Sequence, residues 1–157
     1  MKTKDKTQLK GFYRVQLEEN GKVVGDSGWK ENQVVNLGIN QYLVNWLLGD
    51  TANGKSVTHM ALGTGTAPAS DGTSLAGEVT KRAAVSTSVV SSRTAQFTAQ
   101  FASSASFVGT DGANIANIGL FNTSSGGTIF AGNTYSSSAC ASNQNVNATY
   151  QIRFASA

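Results

Sequence analysis

Along most of this chain, apolar and polar residues take turns, which is the period of a strand with one buried face. Leu9, Gly11, Tyr13, Val15 and Leu17 alternate with polar neighbours and predict a first strand. Asn20-Gly21, just behind Glu19, predicts a tight hairpin with a short return strand over 22–24. Asp26-Ser27-Gly28 turns again, and 29–35 reads as extended. Farther on, 57–62 predicts a strand ended by Gly63-Thr64-Gly65, and 66–73, with Pro68, Ser70, Asp71 and Gly72, an exposed loop. Val79, Val85, Val89, Phe97, Ala99 and Phe101 mark two strands that reverse at Ser91-Ser92-Arg93. Phe107-Val108 opens another strand or edge, 115–121 and 128–135 form a hairpin, and 136–144 is a polar loop. Val146, Ala148, Tyr150, Ile152 and Phe154 alternate as a last strand, expected inside a sheet.

One stretch breaks this period. In NLGINQYLVNWLL, residues 36–48, Ile39, Tyr42, Leu43, Trp46 and Leu47 recur three and four apart, on one stripe of a helix. Asn36 or Asn40 can cap its start and Gly49 its end. Tyr42, Leu43, Trp46 and Leu47 are therefore expected to anchor the helix to the sheet. The pattern as a whole predicts a mainly β chain: a single-domain antiparallel β-sandwich or jelly-roll-like fold over 1–157, with one α-helix at about 36–48.

Composition sharpens this picture in two ways. Only 13% of the 157 residues are charged, and Ser, Thr, Ala, Asn and Gly fill the deficit, which suits a sheet protein with many turns or with large surfaces covered by neighbours. The predicted strand face carrying Thr94, Gln96, Thr98 and Gln100 has no charge at all. Four lysines, Lys2, Lys4, Lys6 and Lys10, crowd the start and predict a short basic arm over about 1–8, which reads as a solvated tail or as a contact to nucleic acid or an acidic partner. Cys140 is the sole cysteine, which rules out an internal disulfide framework. No stretch is apolar enough to span a bilayer, and the first residues lack the apolar segment of a signal peptide, so assembly in a cytoplasm is expected.

Candidate chemistry is sparse. Gly49-Asp50-Thr51-Ala52-Asn53-Gly54-Lys55-Ser56 matches the phosphate-loop pattern G-x-x-x-x-G-K-[ST]. That loop works when a strand enters it and a helix leaves, aiming amides at phosphate. Here a helix enters and a strand leaves, so the segment is expected to be a turn. His59 has no second histidine to share a metal, and Cys140 has no base beside it in sequence. The few carboxylates, Glu18, Glu19, Glu31, Asp71 and Glu78, show no paired spacing on one rigid element. No catalytic, cofactor-binding or metal-binding residue is assigned, and no enzyme activity is expected.

The order of several short motifs is more informative. Asn32-Gln33-Val34-Val35-Asn36 leads through the helix to Met60-Ala61-Leu62-Gly63-Thr64-Gly65-Thr66-Ala67-Pro68. Leu75, Glu78 and Lys81-Arg82 follow, then Asn117-Ile118-Gly119-Leu120-Phe121-Asn122, Ser125-Gly126-Gly127-Thr128-Ile129-Phe130-Ala131-Gly132, and Tyr150-Gln151-Ile152-Arg153-Phe154. This series resembles a family of small structural proteins of tailed-bacteriophage virions. The resemblance covers most of the chain after the first hairpin. Many relatives have an acidic residue before the Gly-Leu-Phe segment, where this chain has Asn117-Ile118.

The resemblance implies a capsid decoration or cement protein that binds and stabilises the major capsid protein shell, or else a tail, neck or fibre-attachment component. It implies a homo-oligomer, a trimer first, in a virion, with other virion proteins as partners, no specific nucleic acid, no membrane and no cofactor. Lys2, Lys4, Lys6 and Lys10 are the candidate contacts to the capsid. A reading from another class is a carbohydrate-binding β-sandwich for host-surface recognition, with Trp29, Tyr135 and Tyr150 as stacking residues.

Overall fold

The computed structural model describes residues 7–50 and 52–156. As the alternation predicts, the chain is mainly β and antiparallel with one short helix; its strands form one sheet nearly closed into a barrel. Ten strands contribute: β1 (Thr7–Glu19), β2 (Lys22–Asp26), β3 (Lys30–Val34), β4 (His59–Gly63), β5 (Ala83–Ala84), β6 (Ser86–Ser91), β7 (Thr94–Phe101), β8 (Ala113–Phe121), β9 (Ile129–Cys140) and β10 (Asn145–Ser156). Their order is β5-β4-β8-β9-β3-β1-β10-β7-β6, with β2 on the side of β1. The two ends of that order, β5 and β6, are consecutive in sequence. A single extended segment therefore pairs with β4 at one end and β7 at the other, and carries the chain across the seam.

Alternation sets the two faces. Tyr13, Val15 and Leu17 of β1 lie opposite Tyr150, Ala148 and Val146 of β10, all pointing inward and buried. Met60 and Leu62 of β4, and Ile118 and Leu120 of β8, join the same core. The β1–β2 hairpin turns through Asn20 and Gly21, both at positive φ. The final strand β10 is interior as expected, with β1 on one side and β7 on the other.

Three local expectations need correction. The 66–73 loop is not simply exposed. It folds back over the outer face of β4, β8 and β9, where Pro68 is buried and Leu75 joins Val35, Ala61, Phe121 and Ile129 in a second small core. A Cβ on Gly132 would stand 3.0 Å from the Pro68 ring and 2.9 Å from the Ile118 carbonyl, so glycine permits this close approach. Phe107 does not begin a strand: it follows a 3₁₀ turn, Ser103–Ala105, and packs on Phe101 with ring centroids 5.6 Å apart. Residues 136–140 are not loop but the second half of β9, paired with 113–115 of β8. Small Ser and Ala side chains conceal the alternation there, and cross-strand pairing overrides their weak strand propensity.

The helix departs most from its expected form. It is π-helical over Gly38–Val44, with the Asn45 amide reaching back five residues to the Asn40 carbonyl, then α-helical over Asn45–Leu47. Neither Asn36 nor Asn40 caps it through a side chain. The Asn36 amide instead donates to Ser70 O at 2.6 Å, tying the helix start to the folded-back loop. At the other end Gly49 takes φ +70, its amide donates to Trp46 O and the Asp50 amide to Asn45 O, a Schellman close that favours glycine.

Candidate assembly surfaces

The π turn decides which helix residues meet the sheet. Each π turn takes one residue more than an α turn, so residues beyond it leave the stripe drawn at α spacing. Tyr42 is buried, stacks on Phe130 with centroids 5.0 Å apart, and donates its hydroxyl to the Thr128 carbonyl. Leu43 packs half-buried against the core. Trp46, however, is 53% exposed and Leu47 is 86% exposed. The expected four-residue anchor is thus two residues. Trp46 keeps one polar tie, its indole N–H donating to Lys55 O at 2.9 Å, while Leu47 and Leu48 project into solvent.

An apolar groove of about 410 Å³ lies beside this helix tip, lined by Tyr42, Leu43, Trp46, Leu47 and Phe154. It continues past Ala95 and Phe97 on the inner face of β7. On the far side of β7, β6 forms one end of the sheet. All six residues of β6, STSVVS, are exposed, Val89 at 80% and Val90 at 55%, and none is charged. Natural edge strands are usually blunted by charge or proline; this one is not.

The outer face of β7 and β10 is cross-linked by amides. Gln151 donates to Gln96 at 2.8 Å and Gln100 to Asn147 at 3.0 Å. Arg153 donates to Gln151 and lies over the Phe12 ring. The charge-free band expected over Thr94, Gln96, Thr98 and Gln100 is therefore real on β6 and β7, and ends at β10.

Several residues from the ordered motifs converge in a clasp under the folded-back loop. Arg82, with only 5% of its side chain exposed, pairs with Glu78 through two bonds of 2.5 and 3.0 Å. It also donates to the carbonyls of Thr123 and Gly126 at 3.0 and 2.7 Å, and its guanidinium lies 3.6 Å above the Phe121 ring. Asn117, fully buried on the outer side of β8, donates to the carbonyls of Thr66 and Ala76 at 3.0 and 2.8 Å. These contacts hold the loop and the β8–β9 turn in one arrangement. The motif spacing pointed to these residues, but nothing in it showed that Glu78 and Arg82 pair with each other and grip a turn forty residues away.

The other candidates resolve individually. Lys2, Lys4 and Lys6 lie outside the described residues. Lys10 belongs to β1 and pairs with Glu31 of the adjacent β3 at 3.5 Å, so it is tied to the sheet. In the phosphate-loop lookalike, Asp50 accepts from the Asn53 amide and side chain, Gly54 donates to Asp50 O, and Lys55 donates to Gln41 O. These amides are taken up by Asp50 and by the Gln41 carbonyl of the helix, so they do not form an anion cradle, and the Asn53 bonds hold the Asp50 carboxyl below its usual range.

His59 sits beside Thr58, whose hydroxyl is 2.9 Å from its Nδ1. Cys140 is buried, which pushes its thiol up to about 11 and away from nucleophilic use. Tyr135 and Tyr150, expected as glycan-stacking residues, are inward-facing core side chains; of that trio Trp29 alone is exposed. Among the described residues there is no group of three or more His, Cys, Asp or Glu poised for a metal, and no helix long and apolar enough to cross a membrane.

Among the described residues, the exposed apolar features that lie together are the helix tip with its groove and the β6 edge; Val23, Val24 and Trp29 are exposed elsewhere, on β2 and the segment after it. Comparison of the chain with family models, with curated proteins and with solved structures returned no match.

Proposed function

We propose that this chain is a structural protein of a tailed-bacteriophage virion, a decoration or cement protein that sits as a homo-oligomer, a trimer first, on the capsid shell. The observation that carries the reading is the pairing of an unblunted, charge-free edge strand with an exposed apolar helix tip on a sheet clasped by Arg82 and Asn117. Surfaces of this kind suit long-lived contacts between proteins, whose cores are depleted in charge. The resemblance in the ordered motifs supplies the class of partner. Many weak contacts repeated over a lattice stabilise a shell by mass action. The lysines at 2, 4 and 6 add an attraction to an acidic capsid surface in this reading.

Quantitative mass spectrometry of purified virions, with imaging of the labelled chain, tests the proposal. A copy number on the scale of the major capsid protein, with label over the head, supports it. A small number at one vertex moves the chain to the tail, neck or fibre base. Absence from virions overturns the reading.

A further inference from the structure

The barrel is open along one seam. The β4–β5 ladder, Met60 with Ala83 and His59 with Ala84, runs on to the Val85 amide, which donates to Thr58 O at 3.0 Å and is the last backbone bond across the seam among the described residues. Beyond it, the edge of β6 that faces away from β7 has no backbone partner among the described residues. Because backbone direction alternates along a strand, the amides of Thr87 and Val89 share the side of Val85 and point out into the seam. Val89 stands opposite Ala95, and Ala95 lines the groove that runs on to Phe97, Phe154 and the helix tip. Unpaired backbone and an apolar trough thus lie side by side.

We propose that this seam accepts an extended strand from another polypeptide, which adds to β6 and completes the barrel. The chemistry specifies the occupant. Open amides and carbonyls call for a backbone in β conformation, which a lipid or sugar does not offer. The trough calls for apolar side chains at alternate positions. The outward neighbours Ser86, Ser88 and Thr98 call for small uncharged residues between them. Lys55 lines the trough, and Arg93 sits in the β6–β7 turn with its carbonyl bonded to the Phe154 amide. Neither has a carboxylate partner among the described residues, and the nearby Asp50 is engaged with Asn53. A second copy would bring its own cations to this rim, whereas a strand bearing a carboxylate is attracted to it. The occupant is therefore an extended, alternating apolar and small-polar segment of a different protein, with an acid near one end. The inference rests on the assembly reading for the source of that strand. The seam experiment and the virion measurement are independent, so either can fail alone.

The probe is an acetylated peptide of alternating Val and Thr with a free terminal carboxylate, titrated to millimolar concentration into the full chain and followed by NMR hydrogen exchange. We expect protection of the Thr87 and Val89 amides and a shift of the Trp46 indole resonance. Thr87→Pro removes one outward amide without touching the β7 ladder, and should weaken binding about fivefold or more with the circular dichroism unchanged. Leu47→Asp should weaken it from the trough side. An amidated peptide should bind a few-fold less tightly at low salt and equally at high salt.

No protection at millimolar peptide overturns the proposal. So does equal binding by a peptide interrupted with prolines, because the trough alone then suffices. Protection that appears on concentrating the chain without peptide also overturns it, in favour of a second copy.

Discussion

At the scale of single residues, two arginines with similar partners contribute very differently. Arg14 pairs with Asp26 through a fork on the surface, with 38% of the arginine side chain exposed. A pair so placed is screened by water and contributes little. Arg82 is enclosed, and its loss leaves Glu78, two carbonyls and the Phe121 face without their partner. We expect Arg82→Ala to cost about 3 kcal/mol in urea denaturation, and Arg82→Lys to recover less than half of that, because an ammonium cannot serve all four contacts. A loss below about 1 kcal/mol would show that the clasp is dispensable. Asp26 also sets an acid limit. Its hydrogen bonds to Arg14 hold the carboxyl well below the usual carboxylate range, so this contribution is present above pH 3.8 and is lost as pH falls below it. Asp26→Asn should flatten the acid limb of a stability-versus-pH curve. From sequence, Glu78 and Arg82 were a loop carboxylate and part of a basic dipeptide. Their bond depends on the carbonyls of Thr123 and Gly126, which only the folded chain brings near.

At the scale of elements, what the sequence revealed depended on whether side-chain size followed the backbone period. β1 and β10 were legible because Tyr, Val, Leu and Ile alternate with polar residues over their whole length. The end of β9 was not, because Ser and Ala on both faces give no period to read. The helix was legible in place but not in phase: its apolar residues suggested an α stripe, and the π turn sends Trp46 and Leu47 outward. Their exposure is itself the mark of a surface, and it predicts separable effects. Leu47→Ser should change folding stability by no more than about 0.5 kcal/mol, since the side chain is already solvated. It should nonetheless lower self-association or partner capture measured by light scattering or co-sedimentation. The folded-back loop makes the opposite case. Gly132→Ala forces a methyl group against the Pro68 ring, and we expect a loss of about 1–3 kcal/mol, with faster proteolysis within 64–78. An undisturbed melting curve would mean that the Pro68–Gly132 approach adds nothing to the other ties on the loop, those of Asn117, Asn36 and Leu75.

At the scale of the whole molecule, every tyrosine of the sequence is inside. Burial pushes Tyr13 up to about 12 and raises Tyr42, Tyr135 and Tyr150 further. The neutral phenol is the folded form, whereas an unfolded tyrosine ionises near its ordinary 10.0. Stability is therefore complete below pH 10 and falls as pH rises through and beyond it. With no surface tyrosine to titrate first, phenolate absorbance should appear in one step, together with loss of the sheet signal in circular dichroism. A gradual rise over a still-folded sheet would contradict the packing. The strand order carries one further consequence, and it concerns time. The strand that pairs with both β1 and β7 is β10, the last of the ten to be synthesised, and Leu9 waits for Phe154. A nascent chain on the ribosome therefore carries β1 with its longest partner still unmade, and the barrel cannot close until its final twelve-residue strand emerges. Contacts so distant in sequence make for slow folding, and the half-made sheet offers the cell open strand edges all the while.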